Sequence, residues 1–431
     1  MLKKIIHLKL KILAKLILVK YKPKIIGITG SVGKTSTKEA VYTVLKTSFQ
    51  VRQSKKNYNN EIGLPLTIIG VSSPGKSIFG WGRVFFQALK LIIFKNKKYT
   101  KILILEMGID RVGDMEYLLS IAQPQIGIVT RIGESHLEFF QNVDEIKKEK
   151  LNLVKNITKT GWIFLNQDDP KLADYKNNHK NILTYGLTQD ANLQAINIIN
   201  FDNFQAKKTD LNKIGISFQV KYKNKIQDVH IKNTIGLAVV YASLVSFAVG
   251  IVHNIDLKTI ANSLAKLKSP VGRMKIISGI KYTLIIDDTY NSSPQSVEMA
   301  LDSIKKINLE AGRSKFIVLG DMLELGGYSR KGHEKIGQRV AEYNFDKLII
   351  VGKKSRDIVY GAKKAGMNKN NISHFMDNDQ AGKFLQKIIK QGDLILIKGS
   401  QGMRMEKIVK EIMSEPLRAK ELLVRQDNSW D

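Results

Sequence analysis

At 431 residues the chain exceeds what one small core needs, and two domains with appendages are the first expectation. A hydrophobic content of 43% with 25% charged residues is ordinary for a globular protein, and the absence of cysteine excludes disulfides and thiolate metal sites. The formal charge of +30 leaves two readings open, attraction to an anionic partner or a lysine-rich composition spread along the chain. No nucleic-acid-binding signature accompanies that charge, so no nucleic acid partner is expected.

Residues 1–23 read as a basic amphipathic helix, with Lys3, Lys4, Lys9, Lys11, Lys15 and Lys20 interrupting the apolar positions. The longest uninterrupted apolar run, Leu16–Val19, is far short of the ~20 residues a membrane span requires. No apolar stretch followed by a small-residue cleavage site marks a signal peptide. Two roles remain: residues 1–22 lie on an anionic membrane surface, or they pack their apolar stripe on the first domain.

Pro23 ends this helix, and the β-branched run Lys24–Thr29 predicts a buried strand followed by a helix over Thr35–Thr47. Lys101–Met107 and Ile126–Thr130 predict further buried strands, with helices over Met115–Ala122 and Asp144–Lys155. Such alternation argues for a parallel sheet covered on both faces. Residues 185–232 change character, with short strands rich in Asn and Lys, and read as a β-rich insertion or flank of the first domain. Helices follow over Thr234–Val252 and Asp256–Leu267, and Ser269-Pro270 with Gly272 mark a boundary. The expected division is therefore 24–268 and 269–431.

A second α/β series begins after it. Strands are predicted over Tyr282–Asp287, Lys315–Leu319, Lys347–Val351 and Asp393–Ile397, with helices over Ser296–Ile304 and near Met405–Met413. Gln426–Asp431 reads as a frayed tail.

The chemistry starts at Ile25–Thr37, IIGITGSVGKTST. Binding a phosphate needs backbone N–H groups converging where no Cβ intrudes, a helix N-terminus aimed at the anion, and a cation. Gly30, Ser31, Val32, Gly33, Lys34, Thr35 and Ser36 supply these between a strand and a helix, the context a P-loop requires. Lys34 would reach the terminal phosphates of a nucleoside triphosphate, and the Thr35 hydroxyl would hold Mg²⁺. The spacing departs from the general pattern, whose first glycine falls where Ile28 stands; here the glycines are Gly27, Gly30 and Gly33.

Two strand ends carry further candidates. Glu106 closes KILILEM, and His136 follows IGIVT within TRIGESHLEFF. In an open α/β sheet, ligands collect at the carboxyl ends of strands, which places both side chains near the loop. A carboxylate and an imidazole there suit a divalent metal bridging the phosphates and a second substrate. Lys150, with Lys147 and Lys148 beside it, reads from the residues alone as a solvated surface lysine.

GITGSVGKTSTKEAV, NYNNEIGLPLTII, LEMGIDRVGDMEYL, TRIGESHLEFF, IIDDTYNSSPQS, VLGDMLELGGYSRKGHEKIG and LIKGSQGMRMEKIV occur in order across nearly the whole chain. Together they resemble the Mur ligase family, in its branch that joins D-Ala-D-Ala to UDP-MurNAc-tripeptide in peptidoglycan precursor synthesis. The resemblance implies a central P-loop, parallel-sheet ATPase domain followed by a Rossmann-like α/β C-terminal domain. It implies an ATP- and Mg²⁺-dependent, cytoplasmic amide ligase that passes through an acyl phosphate.

Carried over by position, Gly30–Ser36 would cradle ATP, while Thr35, Glu106, His136 and Lys150 would serve the metal, Lys150 as a carbamate. That reverses the residue-only reading of Lys150. Arg273, Asp288, Tyr290 and Asn291 would approach the nucleotide when the domains close. Asn60, Lys398 and Ser400 would face the substrate.

Departures from the family pattern are specific. Arg131 stands where Thr-Asn-Ile-Gly usually has Asn, and Ala238, Val239 and Ala242 replace residues that many members aim at adenine. Only the basic helix precedes the loop, where members usually carry a uridine-nucleotide-binding domain. Two alternatives follow: a related ligase acting on another carboxylate, or a membrane-docked nucleotide-binding scaffold.

Overall fold

The computed structural model describes residues 2–55, 58–135, 137–175, 178–201, 203–204 and 214–426. The first sheet is built from β1 (Lys24–Thr29), β2 (Val51–Gln53), β3 (Ile102–Glu106), β4 (Ile126–Val129), β5 (Trp162–Asn166), β6 (Ile182–Gly186) and β7 (Leu193–Asn200). The short β8 (Asn203–Phe204) leaves the sheet, and β9 (Gly215–Tyr222) with β10 (Lys225–Lys232) returns to it. The strand order is β10-β9-β7-β6-β5-β4-β1-β3-β2, parallel from β2 to β7 and antiparallel from β7 through β9 to β10. The region expected as an insertion or flank thus continues the main sheet. β1 lies inside, hydrogen-bonded to β3 and β4, so its carboxyl end opens beside theirs.

Alternation along these apolar strands feeds two cores. Ile26 and Ile28 face α2 (Lys34–Leu45) and, farther along the sheet, α8 (Leu237–Val252) and α9 (Leu257–Leu264). Ile25, Leu103 and Leu105 face the other way, toward α1 (Leu2–Tyr21), α3 (Gly63–Ile69), α4 (Ile78–Ile93) and α5 (Asp114–Ile121). α6 (Val143–Lys155) contributes Leu153 to that second core, and the short α7 (Pro170–Ala173) follows β5. Leu10, Ala14 and Ile17 of α1 are fully buried there, so the packing role foreseen for this helix is present. No helix among the described residues is long and apolar enough to cross a membrane.

The second sheet comprises β11 (Lys275–Ser278), β12 (Leu284–Asp288), β14 (Lys315–Gly320), β15 (Lys347–Val351), β16 (Ile372–Phe375) and β17 (Leu394–Lys398). Its order is β11-β12-β17-β14-β15-β16, parallel except for the β11–β12 pair. One face is covered by α10 (Pro294–Lys305), α11 (Ser329–Glu342) and α12 (Arg356–Lys364), the other by α13 (Asn378–Ile388), α14 (Glu406–Ile412) and α15 (Ala419–Leu422). β13 (Asn308–Leu309) pairs with β8, which stitches the two halves together.

Two predicted boundaries move. The strand expected from Tyr282 starts at Leu284, because Ile280–Tyr282 form a 3₁₀ turn with Lys281 and Tyr282 at φ 55°. The helix expected from Thr234 starts at Leu237: Thr234 bridges to Lys275, and Gly236 at φ 92° turns the chain into the helix. Beyond Gln426 the expected tail lies outside the described residues.

The end of β12 holds a buried carboxyl with an energetic signature. Asp287 Oδ1 accepts from the Thr289 N–H at 3.1 Å and from its hydroxyl at 2.6 Å, while Oδ2 has no hydrogen-bond partner among the described residues. Burial pushes this carboxyl up from 3.8 to about 6. A raised value means that the folded state holds the proton more tightly than the unfolded chain. Stability is therefore fully present below pH ~4 and falls, by up to about 3 kcal/mol, as the pH rises through ~6. Asp287→Asn keeps an acceptor for Thr289 and is expected to remove this loss. Denaturant unfolding at acid and neutral pH checks it, and an unchanged pH slope in the variant contradicts the assignment.

Candidate active site

β1 delivers its chain into a loop that only glycine can form. Gly30 has φ 145°, and a Cβ there would lie 1.9 Å from Thr130 Oγ1 and 3.0 Å from the Arg131 backbone nitrogen. Gly33 has φ 91° and opens α2, whose first-turn N–H groups face the loop. The segment after β4 braces this loop: the Ser31 N–H donates to Arg131 O at 2.6 Å, and Thr130 Oγ1 donates to Val32 O at 2.6 Å. The outcome is a rigid concave turn at a helix N-terminus, which is the geometry that binds phosphate.

Lys34 folds over this turn, its Nζ donating to Gly30 O at 2.6 Å. Loss of water lowers its pKa below the ordinary lysine value; Glu106 and Asp110 oppose that shift, and Arg273 adds to it. Thr35 Oγ1 donates to Glu106 Oε2 at 3.2 Å, so the first helical turn and the end of β3 share one polar contact. Behind Glu106 sits Lys38, 3.6 Å from its Oε2 and 2.8 Å from Ser54 O. Lys38 is fully enclosed, and sequence reasoning missed it; its place one turn after Lys34 on the same helix face was the available signal.

Lys150 is the clearest correction to the residue-only reading. It is 1% exposed, on the same side of α6 as Ile146, Leu153 and Val154, whereas Lys147 is half-buried and Lys148 is exposed. Burial first, and then the charge of Lys34, hold its pKa well below the ordinary lysine value, with Asp110 and Glu149 pulling the other way. Neighbouring Glu149 accepts from the N–H groups of Gly113 and Met115, at 3.1 and 2.8 Å, and so ties α6 to the start of α5. Asp110, which acts on both lysines, is a second residue missed in the sequence; it follows Glu106 by four positions in the same strand-end loop. His136 lies outside the described residues. No three His, Asp or Glu side chains converge as a metal cluster among the described residues.

Across an open cleft the second half presents Arg273, Tyr290, Asn291, Ser292, Ser400 and Gln401 toward Lys34, Thr35 and Glu106. The Arg273 guanidinium lies over the Tyr290 ring at 4.0 Å, and its Nε has no hydrogen-bond partner among the described residues. Asn291 Oδ1 accepts from the Ser292 N–H at 2.9 Å, and the Leu323 N–H donates to Ser400 Oγ at 2.8 Å. Lys398 is held back from the open cleft: its Nζ donates to Asp288 Oδ2 at 2.6 Å and to Asn291 O at 2.9 Å. Asp288 also accepts from the Met274 N–H at 3.2 Å, so the pair organises the β12 and β17 ends.

Two further spaces adjoin the cleft. Beyond Gly33 and Ser36 lies a small pocket with Leu237, Ala238, Val239 and Met299 on its apolar side and Ser296, Arg273 and Asp288 on its polar side. Arg131 turns toward this side, its Nη1 3.4 Å from Met299 Sδ. On the opposite side a groove contains His7 and Lys11 of α1 with Asn60 and Arg111, and meets the cleft at Asn59 and Asp110. Asn60 Oδ1 accepts from the Gly63 N–H at 2.9 Å and so fixes the start of α3, while Asn59 is the neighbour that reaches the cleft.

This arrangement can be compared with known proteins. The Mur ligase middle domain model matches residues 28–78 and 87–250, and the Mur ligase, glutamate ligase domain model matches residues 272–401. The UDP-N-acetylmuramoyl-tripeptide–D-alanyl-D-alanine ligase of Bacillus subtilis (strain 168) is 29% identical over 406 residues, covering 94% of this chain and 79% of that protein. The protein of the same name from Rickettsia prowazekii (strain Madrid E) is 29% identical over 401 residues, covering 90% and 78%. Among solved structures, MurF ligase from Thermotoga maritima in complex with ADP superposes with a TM-score of 0.77 at 24% identity, covering 96% of this chain and 84% of that one. MurF from Acinetobacter baumannii gives 0.76 at 24% identity, covering 94% and 79%. Domain models of one family therefore account for both halves in their proper order, and the chain belongs to the Mur ligase family.

Proposed function

We propose that this chain is an ATP- and Mg²⁺-dependent amide ligase of peptidoglycan precursor synthesis that joins D-Ala-D-Ala to UDP-MurNAc-tripeptide, working in the cytoplasm where its nucleotide substrates are made. The observation that carries this reading is the phosphate-binding turn at Gly30–Thr35, set across one cleft from Arg273, Asn291 and Ser400 of the second half. The named relatives, aligned over at least 90% of the chain, support the same substrates. Residues 24–268 form the nucleotide-binding unit in this reading, and residues 269–431 close on it.

The tripeptide carboxylate attacks the γ-phosphorus of ATP, giving an acyl phosphate and ADP. The D-Ala-D-Ala amine then attacks the acyl carbon through a tetrahedral intermediate and expels inorganic phosphate. Positioning and charge neutralisation dominate such phosphoryl transfers. The Gly30–Ser36 backbone holds the phosphates, and Lys34 leaves its contact with Gly30 O to lie on their terminal oxygens. Arg273, whose Nε lacks a partner, reaches the nucleotide from the other wall, and Asp288 and Asn291 hold that wall in shape. The pocket beside Ala238 and Val239 takes the adenine, with apolar contact from those two residues and polar groups such as Ser296 and Ser303 on its other side. The groove past Asn59 and Asn60 takes the tripeptide, with Ser400 at its reactive end and Lys398 acting from behind through Asp288 and Asn291.

The oxygens of Thr35 and Glu106, already in contact, are hard donors that would hold Mg²⁺, and His136 and a carbamate on Lys150 would serve as further ligands. When bound, Mg²⁺ neutralises charge developing on the phosphates. Lys150 suits its role because a buried lysine of depressed pKa presents the neutral amine that adds to CO₂, losing one proton to become an anion.

Phosphate release with ATP and Mg²⁺ tests the assignment. Release is expected only when UDP-MurNAc-tripeptide and D-Ala-D-Ala are both present, together with the pentapeptide product; release indifferent to the muramoyl nucleotide contradicts it. Lys150→Ala is expected to lose at least ~10²-fold in kcat, with partial recovery on adding short-chain carboxylates, which substitute for the missing anion. A fully active variant would show that no carbamate is used.

A further inference from the structure

Helix α4 carries a feature that neither the cleft chemistry nor the family pattern explains. The family's domain model leaves residues 79–86, FGWGRVFF, unmatched, and these form the first half of α4. Phe79 and Phe86 there are 93% and 68% exposed. Among the described residues, eleven of the nineteen large exposed apolar side chains lie on α1, on α4 or at the α4 C-cap, so the exposure is concentrated rather than scattered.

Both helices are apolar on two opposite sides. On α1, Leu10, Ala14 and Ile17 are buried, while Ile5, Leu8, Ile12, Leu16 and Val19 are exposed. At 100° per residue these five fall within an arc of about 80°, on the side opposite the buried three. Lys9 and Lys15 flank that arc on its two edges, while Lys20 is tied to the end of α4 and Lys11 turns into the groove over the Tyr117 ring. On α4, Val84, Ala88 and Leu91 are buried, and Ile78, Phe79, Phe86, Leu89 and Ile93 occupy an arc of about 100° opposite them. Packing on the domain uses one side of each helix and leaves the other.

The two helices that carry these leftover sides lie together. α1 and α4 bury their inner residues in the same core, and their C-terminal ends are joined: Lys20 Nζ donates to Ile92 O at 2.7 Å, and the Tyr21 hydroxyl donates to Leu91 O at 2.9 Å. Their charge is of a single sign. No Asp or Glu occurs in residues 1–38 or 62–105, whereas Arg83, Lys90, Lys95, Lys97 and Lys98 border the α4 stripe.

We propose that α1 and α4 together form a docking face for an anionic phospholipid bilayer, with Phe79, Phe86 and Ile93 entering the headgroup–acyl boundary and the flanking lysines meeting lipid phosphates. Apolar stripes edged by lysine, on helices unable to span, fit a helix pair lying in the interface plane. The absence of acidic residues from both segments selects an anionic surface over an acid-and-base-patterned protein partner. This proposal does not depend on which reaction the cleft performs.

Vesicle co-sedimentation without nucleotide tests it, using the full chain with phosphatidylcholine alone and with an equal phosphatidylcholine–phosphatidylglycerol mixture. Binding is expected only to the mixture and is expected to weaken as salt rises. The Phe79→Ser/Phe86→Ser double variant is expected to lose about tenfold or more in affinity at unchanged melting temperature. Leu16→Ser/Val19→Ser provides an independent second variant on α1. Equal binding to both vesicle types, or undiminished binding by both variants, overturns the proposal. So does a concentration-dependent dimer that the same substitutions abolish while no vesicles bind, which would assign the face to a second copy of the chain.

Discussion

The cleft is organised around one electrostatic constraint, the convergence of the cations Lys34, Lys150 and Arg273 on the phosphate-binding turn. Lys34 reaches over the phosphate-binding turn, Lys150 lies buried within range of its charge, and Arg273 approaches from the other half. Two like unit charges ~4 Å apart repel by several kcal/mol at the effective dielectric of a protein. Glu106 and Asp110 offset part of this, but Glu106 is already shared with Thr35 and Lys38. Burial relieves the rest by favouring a neutral Lys150. A bound polyphosphate acts on the same repulsion differently, by placing negative charge directly between Lys34 and Arg273.

The architecture serves that constraint. β1, β3 and β4 lie side by side and parallel, so the glycine turn, Glu106 and the segment starting at Thr130 emerge at one edge. β12 and β17 do the same in the second sheet, where Asp288 and Lys398 end neighbouring strands and pair. The buried Asp288–Lys398 pair fixes the wall opposite the phosphate turn, and Arg273 and Asn291 are displayed from that wall. The β8–β13 pairing and the contact of Glu138 N–H with Glu324 O, at 3.2 Å, keep the two edges facing. Closing this cleft changes the distance between Lys34 and Arg273, so motion and charge are coupled.

Much of this was legible in the sequence because buried parallel strands are continuous apolar runs. KIIGIT, ILILE and LILIK announce themselves by composition, and the glycine turn by its position after the first of them. Lys150 was not legible from its own neighbourhood, since which side of a lysine-rich helix is buried depends on what packs against it; only the family resemblance pointed to it. Lys38, Asp110 and Asn59 escaped for the same reason: each matters through a partner far away in the chain. The sequence showed apolar residues around much of α1 but not which side is buried, and α4 was not anticipated, because a helix with apolar residues on opposite sides shows no single clean period.

The account's central claim is that this cleft transfers a phosphoryl group to a carboxylate before an amine displaces it. Ligation started with oxygen-18 in both carboxylate oxygens of the muramoyl tripeptide tests this directly, with the released inorganic phosphate analysed by mass. An acyl phosphate requires one labelled oxygen in each phosphate, carried over when the carbon–oxygen bond breaks. Phosphate free of label would contradict the account.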